Sequence, residues 1–365
     1  MPHVVAGSFG VYVHIPFCAR RCDYCAFATW TDRAHLVDEY LDACRVDVAR
    51  HDVPAATSVF FGGGTPSLVP APGLVHVLDA IVRVPDAEVT VECNPDTVTA
   101  ELLAAYRAAG VTRLSFGVQS MVPHVLKALG RTHDPGKVRA AVEIARSYGF
   151  SSFNLDLIYG AAGESLDDWR RTLDAVTDLD PPHVSAYALT VEPGTPLAGD
   201  PARHPDGDDQ AAKYEVLTEH LAGAGLDWYE ISNFARPGHE CRHNLLYWQQ
   251  GDYLGIGCAA HSHRGGRRWW NVRTPERYCE LVRRGVPVEA GSEHLDGAER
   301  ELERLQLALR TRAGVPAGAL PLDDPDIAAL VDVDGGLAVL NLRGRLLANE
   351  VALRLRTVTE EPAAS

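Results

Sequence analysis

The chain has 365 residues, 46% of them apolar and 23% charged, which suits one large globular core or one large and one small domain. Its formal net charge of −15 argues against a general nucleic-acid binder, because phosphate contacts need an excess of lysine and arginine. The same charge opposes an anionic membrane surface, and no stretch approaches the roughly 20 apolar residues that cross a bilayer, so direct membrane insertion is not expected.

The N-terminal MPHVVAGSFGVYVHIPF lacks a basic start, an apolar run and a cleavage site, so it reads as a strand and not as a secretory signal. The eight cysteines are then expected in a reducing, cytoplasmic compartment, where clustered thiols bind metal more often than they pair. Predicted strands over 11–15, 57–61, 88–93, 113–118, 153–158 and 183–189 alternate with amphipathic helices near 35–50, 73–82, 99–109, 135–148 and 166–179. This rhythm predicts an α/β fold of parallel β/α units. Six units fall short of a complete barrel, so an open barrel and a doubly wound sheet both fit the pattern. Residues 192–209, rich in Pro, Gly and Asp, read as a loop. Residues 229–270 mix Gly, His, Asn and aromatics without a clean period and read as a site-bearing region. A helix resumes over 299–312. Short pieces over 314–356 suggest a small, mostly helical domain of winged-helix type. The expected division is 1–235, a connecting region 236–297, a small domain 298–357 and a disordered tail 358–365.

The segment HIPFCARRCDYCAF places Cys18, Cys22 and Cys25 directly after the first strand. Thiolates select zinc or iron–sulfur centres. Structural zinc wants four ligands, and a cubane cluster usually takes four cysteines, so three imply one iron open for another ligand. Arg20 and Arg21 would favour the thiolate forms. Cys44, Cys93, Cys241, Cys258 and Cys279 are scattered and read as small buried hydrophobes. Gly62, Gly63 and Gly64, followed by Thr65 and Pro66, either let backbone and free N–H groups approach a ligand or simply make a tight turn. No GK[ST] ending marks a phosphate loop. Glu92 at a strand end could accept from ribose hydroxyls or be salt-bridged. Gln119 ends the fourth strand. Alternation puts Asp156 on one face with Asn154 and Ile158, where it needs a partner, for which Arg131 is the candidate.

CxxxCxxC with Tyr24 before the third cysteine resembles the signature of the radical S-adenosylmethionine (SAM) superfamily. The phrases YVHIPFC, FFGGGTPS, ECNPD, LSFGVQS, NLDLIYG, HVSAYALTVEPGT and YEISNFARPGHECRHNLLYW resemble one branch of it, from about residue 11 to 349. That branch holds oxygen-independent coproporphyrinogen III oxidases and HemW-type haem chaperones. The resemblance implies an incomplete (β/α)6 barrel with a small helical C-terminal domain, and a [4Fe–4S] cluster whose open iron chelates the methionine end of SAM. An electron from such a cluster, supplied by a donor that no motif names, can cleave SAM to a 5′-deoxyadenosyl radical. By resemblance, Gly62, Gly63, Gly64 and Thr65 meet the methionine end of SAM. Tyr12, Tyr24, Glu92, Gln119, Arg131, Asp156 and Ala188 would line the rest of its pocket, with His261 near the adenine.

Two departures separate this chain from the oxidases: Phe27 stands where they carry a further cysteine, and only 17 residues precede Cys18. HNLLYW, from His243 to Trp248, resembles the HNxxYW motif linked to haem handling in the chaperones. If helical, it puts His243 and Tyr247 on one face and Asn244 and Trp248 on another. With Met1 and Met121 the only methionines, His243 is the expected haem-iron ligand and Cys241 its alternative, with His261 and His263 as further candidates. Aromatic neighbours could pack on the porphyrin, although an ordinary buried histidine also fits the segment. The expected activity is binding haem and delivering it to a haem protein such as a membrane respiratory subunit, with no catalytic residue assigned. The alternative is oxidative decarboxylation of coproporphyrinogen III, within porphyrin biosynthesis.

Overall fold

A computed structural model describes residues 7–131 and 134–357, so the tail expected over 358–365 lies outside the described residues. The chain runs β1 (Phe9–Ile15), α1 (Val37–Val48), β2 (Ala56–Gly63), α2 (Ala71–Ala80), β3 (Arg83–Cys93), α3 (Ala100–Ala108) and β4 (Arg113–Gln119). It continues through α4 (Pro123–Ala128), α5 (Pro135–Ser147), β5 (Ser152–Tyr159), α6 (Leu166–Thr177) and β6 (His183–Ala188). β1 to β6 pair in sequence order, all parallel, as the alternation of strands and helices predicts.

Side-chain alternation gives this sheet two unlike faces. Val11, Val13, Val59, Phe61, Val89, Val91, Leu114, Phe116, Leu155 and Leu157 point outward and form the main core with the helices. The opposite face carries Tyr12, His14, Ser58, Phe60, Glu92, Arg113, Ser115, Asn154, Asp156 and Ser185. The register sets Glu92 beside Ser115, Ser115 beside Asn154, and Asp156 beside Ser185. A polar inner face cannot serve as a second hydrophobic core, so the sheet curls around a lined chamber.

After β6 come α7 (Gly207–Gly223), β7 (Asp227–Glu230), β8 (Asn233–Ala235), α8 (Arg242–Trp248), β9 (Asp252–Ile256), β10 (His261–Arg264), β11 (Arg267–Asn271), α9 (Pro275–Arg283) and β12 (Glu289–His294). The loop read over 192–209 gives way to α7, where Asp206 caps the helix by accepting from the Asp209 N–H. β8 lies antiparallel on β6, and β9 lies parallel on the other side of β1. The full order is β12-β11-β10-β9-β1-β2-β3-β4-β5-β6-β8-β7, an open sheet with β12 and β7 at its edges. Residues 252–294 therefore extend the same sheet. Their strands were not legible because several of their side chains face a cavity instead of the core, which breaks the apolar alternation.

The C-terminal part comprises α10 (Gly297–Leu309), β13 (Val315–Pro316), α11 (Pro325–Ala328), β14 (Val331–Asp334), β15 (Leu337–Leu340), α12 (Leu342–Leu346) and α13 (Ala348–Ala352). It adds a three-stranded sheet, β13-β15-β14, to its helices. Its buried side chains, among them Leu305, Leu309, Val315 and Leu340, form a cluster of their own.

Candidate functional site

The three-cysteine loop leaves the C-terminal end of β1 and returns on itself. The Cys18 N–H donates to Trp30 O (3.0 Å), and the Trp30 N–H donates to Pro16 O (2.7 Å). Cys18 accepts from the Thr65 hydroxyl (3.7 Å), and Cys22 accepts from Arg131 Nη1 (3.7 Å). Burial pushes the Cys18 and Cys25 thiols up. The arginines expected to favour thiolates do not prevail at Cys25, where burial outweighs the Arg21 charge. Among the described residues no three His, Cys, Asp or Glu side chains converge as ligands of a single metal ion would. Arg131 also donates to Gly117 O (2.8 Å).

The GGG turn at the end of β2 departs from expectation. The Gly63 N–H donates to Glu92 Oε2 (3.1 Å), that of Gly64 to Ile15 O (2.8 Å) and that of Thr65 to Phe17 O (2.8 Å). These donors are spent inside the protein, so the turn is not an open nest for an anion. What it requires is closeness. A Cβ at Gly64 would sit 2.7 Å from two carbonyl oxygens, and Gly63 has φ +107° with the His14 ring 2.4 Å from its missing Cβ.

Inside the chamber, Asp156 accepts from Ser115 Oγ (2.8 Å) and Asn154 Nδ2 (2.7 Å). Its cationic neighbour is Arg113. The expected partner, Arg131, instead reaches Cys22 from the connection between α4 and α5. Burial and the Asp156 charge push Glu92 up to about 8. Tyr12 bonds His14 Nδ1 (3.0 Å) and stacks on Phe60 at 6.3 Å. Gln119 ends β4 with φ +63°, a strained backbone for a non-glycine residue. Tyr24 packs with the apolar cluster of Val122, Ile158 and Leu189, and Ala188 is exposed at the end of β6.

HNLLYW forms α8, which lies against β1 and β2. Gly10 makes this possible, since a Cβ there would stand 2.6 Å from Leu246 Cδ2. Glu88 on β3 accepts the N–H groups of Arg242 and His243 (3.1 Å each) and, at 3.6 Å, the Cys241 thiol. His243 is 1% exposed. Its Nδ1 meets Ser58 Oγ (2.9 Å), its Nε2 meets the Tyr247 hydroxyl (2.8 Å), and its ring stacks on Phe60. Burial pushes its pKa down to about 3. Both ring nitrogens are therefore engaged.

Two cavities adjoin this helix. A chamber of about 230 Å³ is lined by Glu92, Arg113, Ser115, Asn154, Asp156, His243 and Asn244, among others. A larger one of about 810 Å³ lies beyond it, between β9–β11 and α10, with His14, Tyr253, His261, His263, Arg268, Trp270 and Leu307 in its walls. Tyr12, Phe27 and Tyr247 line both. Phe27 is 66% exposed. Trp248 and Cys241 line neither cavity. Sequence reasoning missed Arg113, Ser115 and Ser185, although polar residues at every second position of apolar strands were a usable signal. It also missed Tyr253, Arg268 and Trp270, which sit on short strands facing the cavity, and Arg273, in the connection between β11 and α9.

The pattern of the Radical SAM superfamily matches residues 12–176. The protein called heme chaperone HemW from Mycobacterium tuberculosis (strain H37Rv) is 44% identical, over 95% of this chain and 94% of that protein. Heme chaperone HemW of Bacillus subtilis (strain 168) is 35% identical, over 93% of this chain and 97% of its own length. Among solved structures, the coproporphyrinogen III oxidase HemN from Escherichia coli, described as a radical SAM enzyme, superposes with a TM-score of 0.82. It covers 95% of this chain and 89% of that one at 24% identity, a likeness of fold.

Proposed function

The chain belongs to the HemW family within the radical SAM superfamily, and from this premise we propose that it binds haem in the cleft beside its cysteine loop and passes it to a recipient haem protein. The observation that carries the reading is the meeting of the two motifs. Phe27, two residues after Cys25, and Tyr247 of HNLLYW line both cavities, so the cysteine loop and α8 close on one cleft.

The three cysteines fit a cubane cluster. Such a cluster presents its irons at separate corners, so its thiolates need not converge on one point as zinc ligands must. Cys18, Cys22 and Cys25 would hold it, and Arg131 beside Cys22 would offset the thiolate charge. When bound, the cluster and SAM supply one-electron chemistry. Glu92, held near neutrality, and Asp156 offer hydrogen-bond partners to a ribose, and Tyr12 offers a ring to stack on. Tyr24, Gln119, Arg131 and Ala188 ring the same strand ends, with Gly62 to Thr65 giving close backbone approach. In this reading SAM and haem occupy adjoining spaces, and ordering Tyr12, Phe27 and Tyr247 around one ligand changes affinity for the other.

The recipient is approached through a protein interface, since the net charge of −15 opposes an anionic lipid surface. No described helix is long and apolar enough to cross a membrane. Anaerobic reconstitution with iron and sulfide, followed by haem titration monitored by absorbance, tests the proposal. One haem per chain with a shifted Soret band is expected. Absence of haem binding, with coproporphyrinogen III decarboxylated in the presence of SAM and a reductant, would contradict it.

A further inference from the structure

The larger cavity contains a histidine whose chemistry is unfinished. His263, on β10, stands opposite Tyr253 of β9 and Arg268 of β11 and is 3% exposed. Its Nδ1 lies 2.9 Å from Gly251 O, with Asp252 Oδ1 3.6 Å away. A carbonyl oxygen only accepts, so Nδ1 carries a proton, and in the neutral ring Nε2 keeps its lone pair. That lone pair has no hydrogen-bond partner among the described residues, although Nε2 is buried. A buried acceptor left unmatched calls for a ligand. An imidazole oriented by Nδ1–H donation to a carbonyl, with Nε2 bare, is the arrangement in which histidine binds metal.

The other histidines of the cleft are placed differently. His14 uses both nitrogens, on the Tyr12 hydroxyl and Ala28 O, and His243 uses both as well. His261 stands exposed against Trp270. The cavity's volume of about 810 Å³ falls within the 300–1,000 Å³ typical of sites for small organic ligands. Arg273 on its wall is an exposed cation suited to a carboxylate, whereas Arg268 is held by Glu293 and Glu303.

We propose that haem sits in this cavity with its iron on His263 Nε2, not on His243, and with a propionate toward Arg273. The assignment rests on the haem-binding reading above. Because Nε2 is shielded, haem enters by displacing neighbouring side chains. Tyr253, whose ring centre lies 6.2 Å from that of His263, and Tyr247, packed edge-on to it at 4.6 Å, form this wall.

Haem titration of the full reconstituted chain, wild type against His263→Asn and His263→Ala, tests this by Soret position and electron paramagnetic resonance. Asparagine can still donate to Gly251 O but offers no imidazole. Both variants are expected to bind at least about tenfold more weakly, a loss no smaller than that of an orienting partner at a metal site. Their spectra should lose the histidine-ligated form, and added imidazole should restore it in His263→Ala. A His263→Asn chain with wild-type spectrum and affinity would overturn the ligand and leave haem binding standing. Weaker binding with an unchanged spectrum would overturn it equally. Failure of the wild type to bind haem would overturn the underlying reading instead.

Discussion

Glu92 shows how a single side chain records its surroundings. With a folded pKa of about 8 against an ordinary 4.5, it keeps a proton that the unfolded chain releases. The stability this adds is fully present below 4.5 and is lost as pH rises through 8. For the chain without cluster or SAM, Glu92→Gln should match wild type near about pH 5 and melt on the order of 2–4 °C higher near about pH 9. A melting difference independent of pH would contradict the assignment. His243 has the opposite sign, since its pKa is lowered to about 3 and its contribution is lost as pH falls from 6.5 toward that value. At this scale the cysteine triplet was legible from spacing alone, and Asp156 from strand alternation. The Asp156 partner was not legible, because Arg113 starts β4 while Arg131 lies between α4 and α5, and only the folded arrangement decides which of them meets Asp156. Nor could spacing show that His243 has both nitrogens engaged while His263 has one bare.

The decisive element is α8, and its seat is specified from two sides. Gly10 admits it, and Glu88 fastens its first turn while neighbouring the buried Arg113. Gly10→Ala should cost about 1–3 kcal/mol by overpacking against Leu246. Glu88→Ala should cost about 2–6 kcal/mol, because it strips two buried N–H groups of their acceptor and leaves Asp156 as the remaining carboxylate near Arg113. Chemical denaturation of both variants checks the order, and a smaller loss for Glu88→Ala than for Gly10→Ala would contradict it. The six parallel strands were legible because their outward residues are apolar at every second position and their helices carry a matching stripe. Residues 229–270 gave no period because strand, helix and turn change there every few residues and a number of the side chains face the cleft.

On the scale of the whole molecule, the C-terminal part completes a wall of the cleft. Glu303 and Leu307 of α10 line the larger cavity, Gln250 donates to Arg300 O and Glu303, and Arg268 pairs with Glu303. Backbone bonds from Ile231 to Arg310 O and from Arg312 to Tyr229 O join the two parts. The open sheet, the cysteine loop and α10 thus surround one space, the one proposed to hold haem. Hydrogen exchange of the reconstituted chain, with and without one equivalent of haem, measures that most directly. Haem should slow exchange in 26–30, in α8 and β9 to β11, and in the second half of α10, while the β14–β15 hairpin stays unchanged. Protection confined to that hairpin or to the outer helices, with the cleft exchanging as before, would contradict haem binding in the cleft.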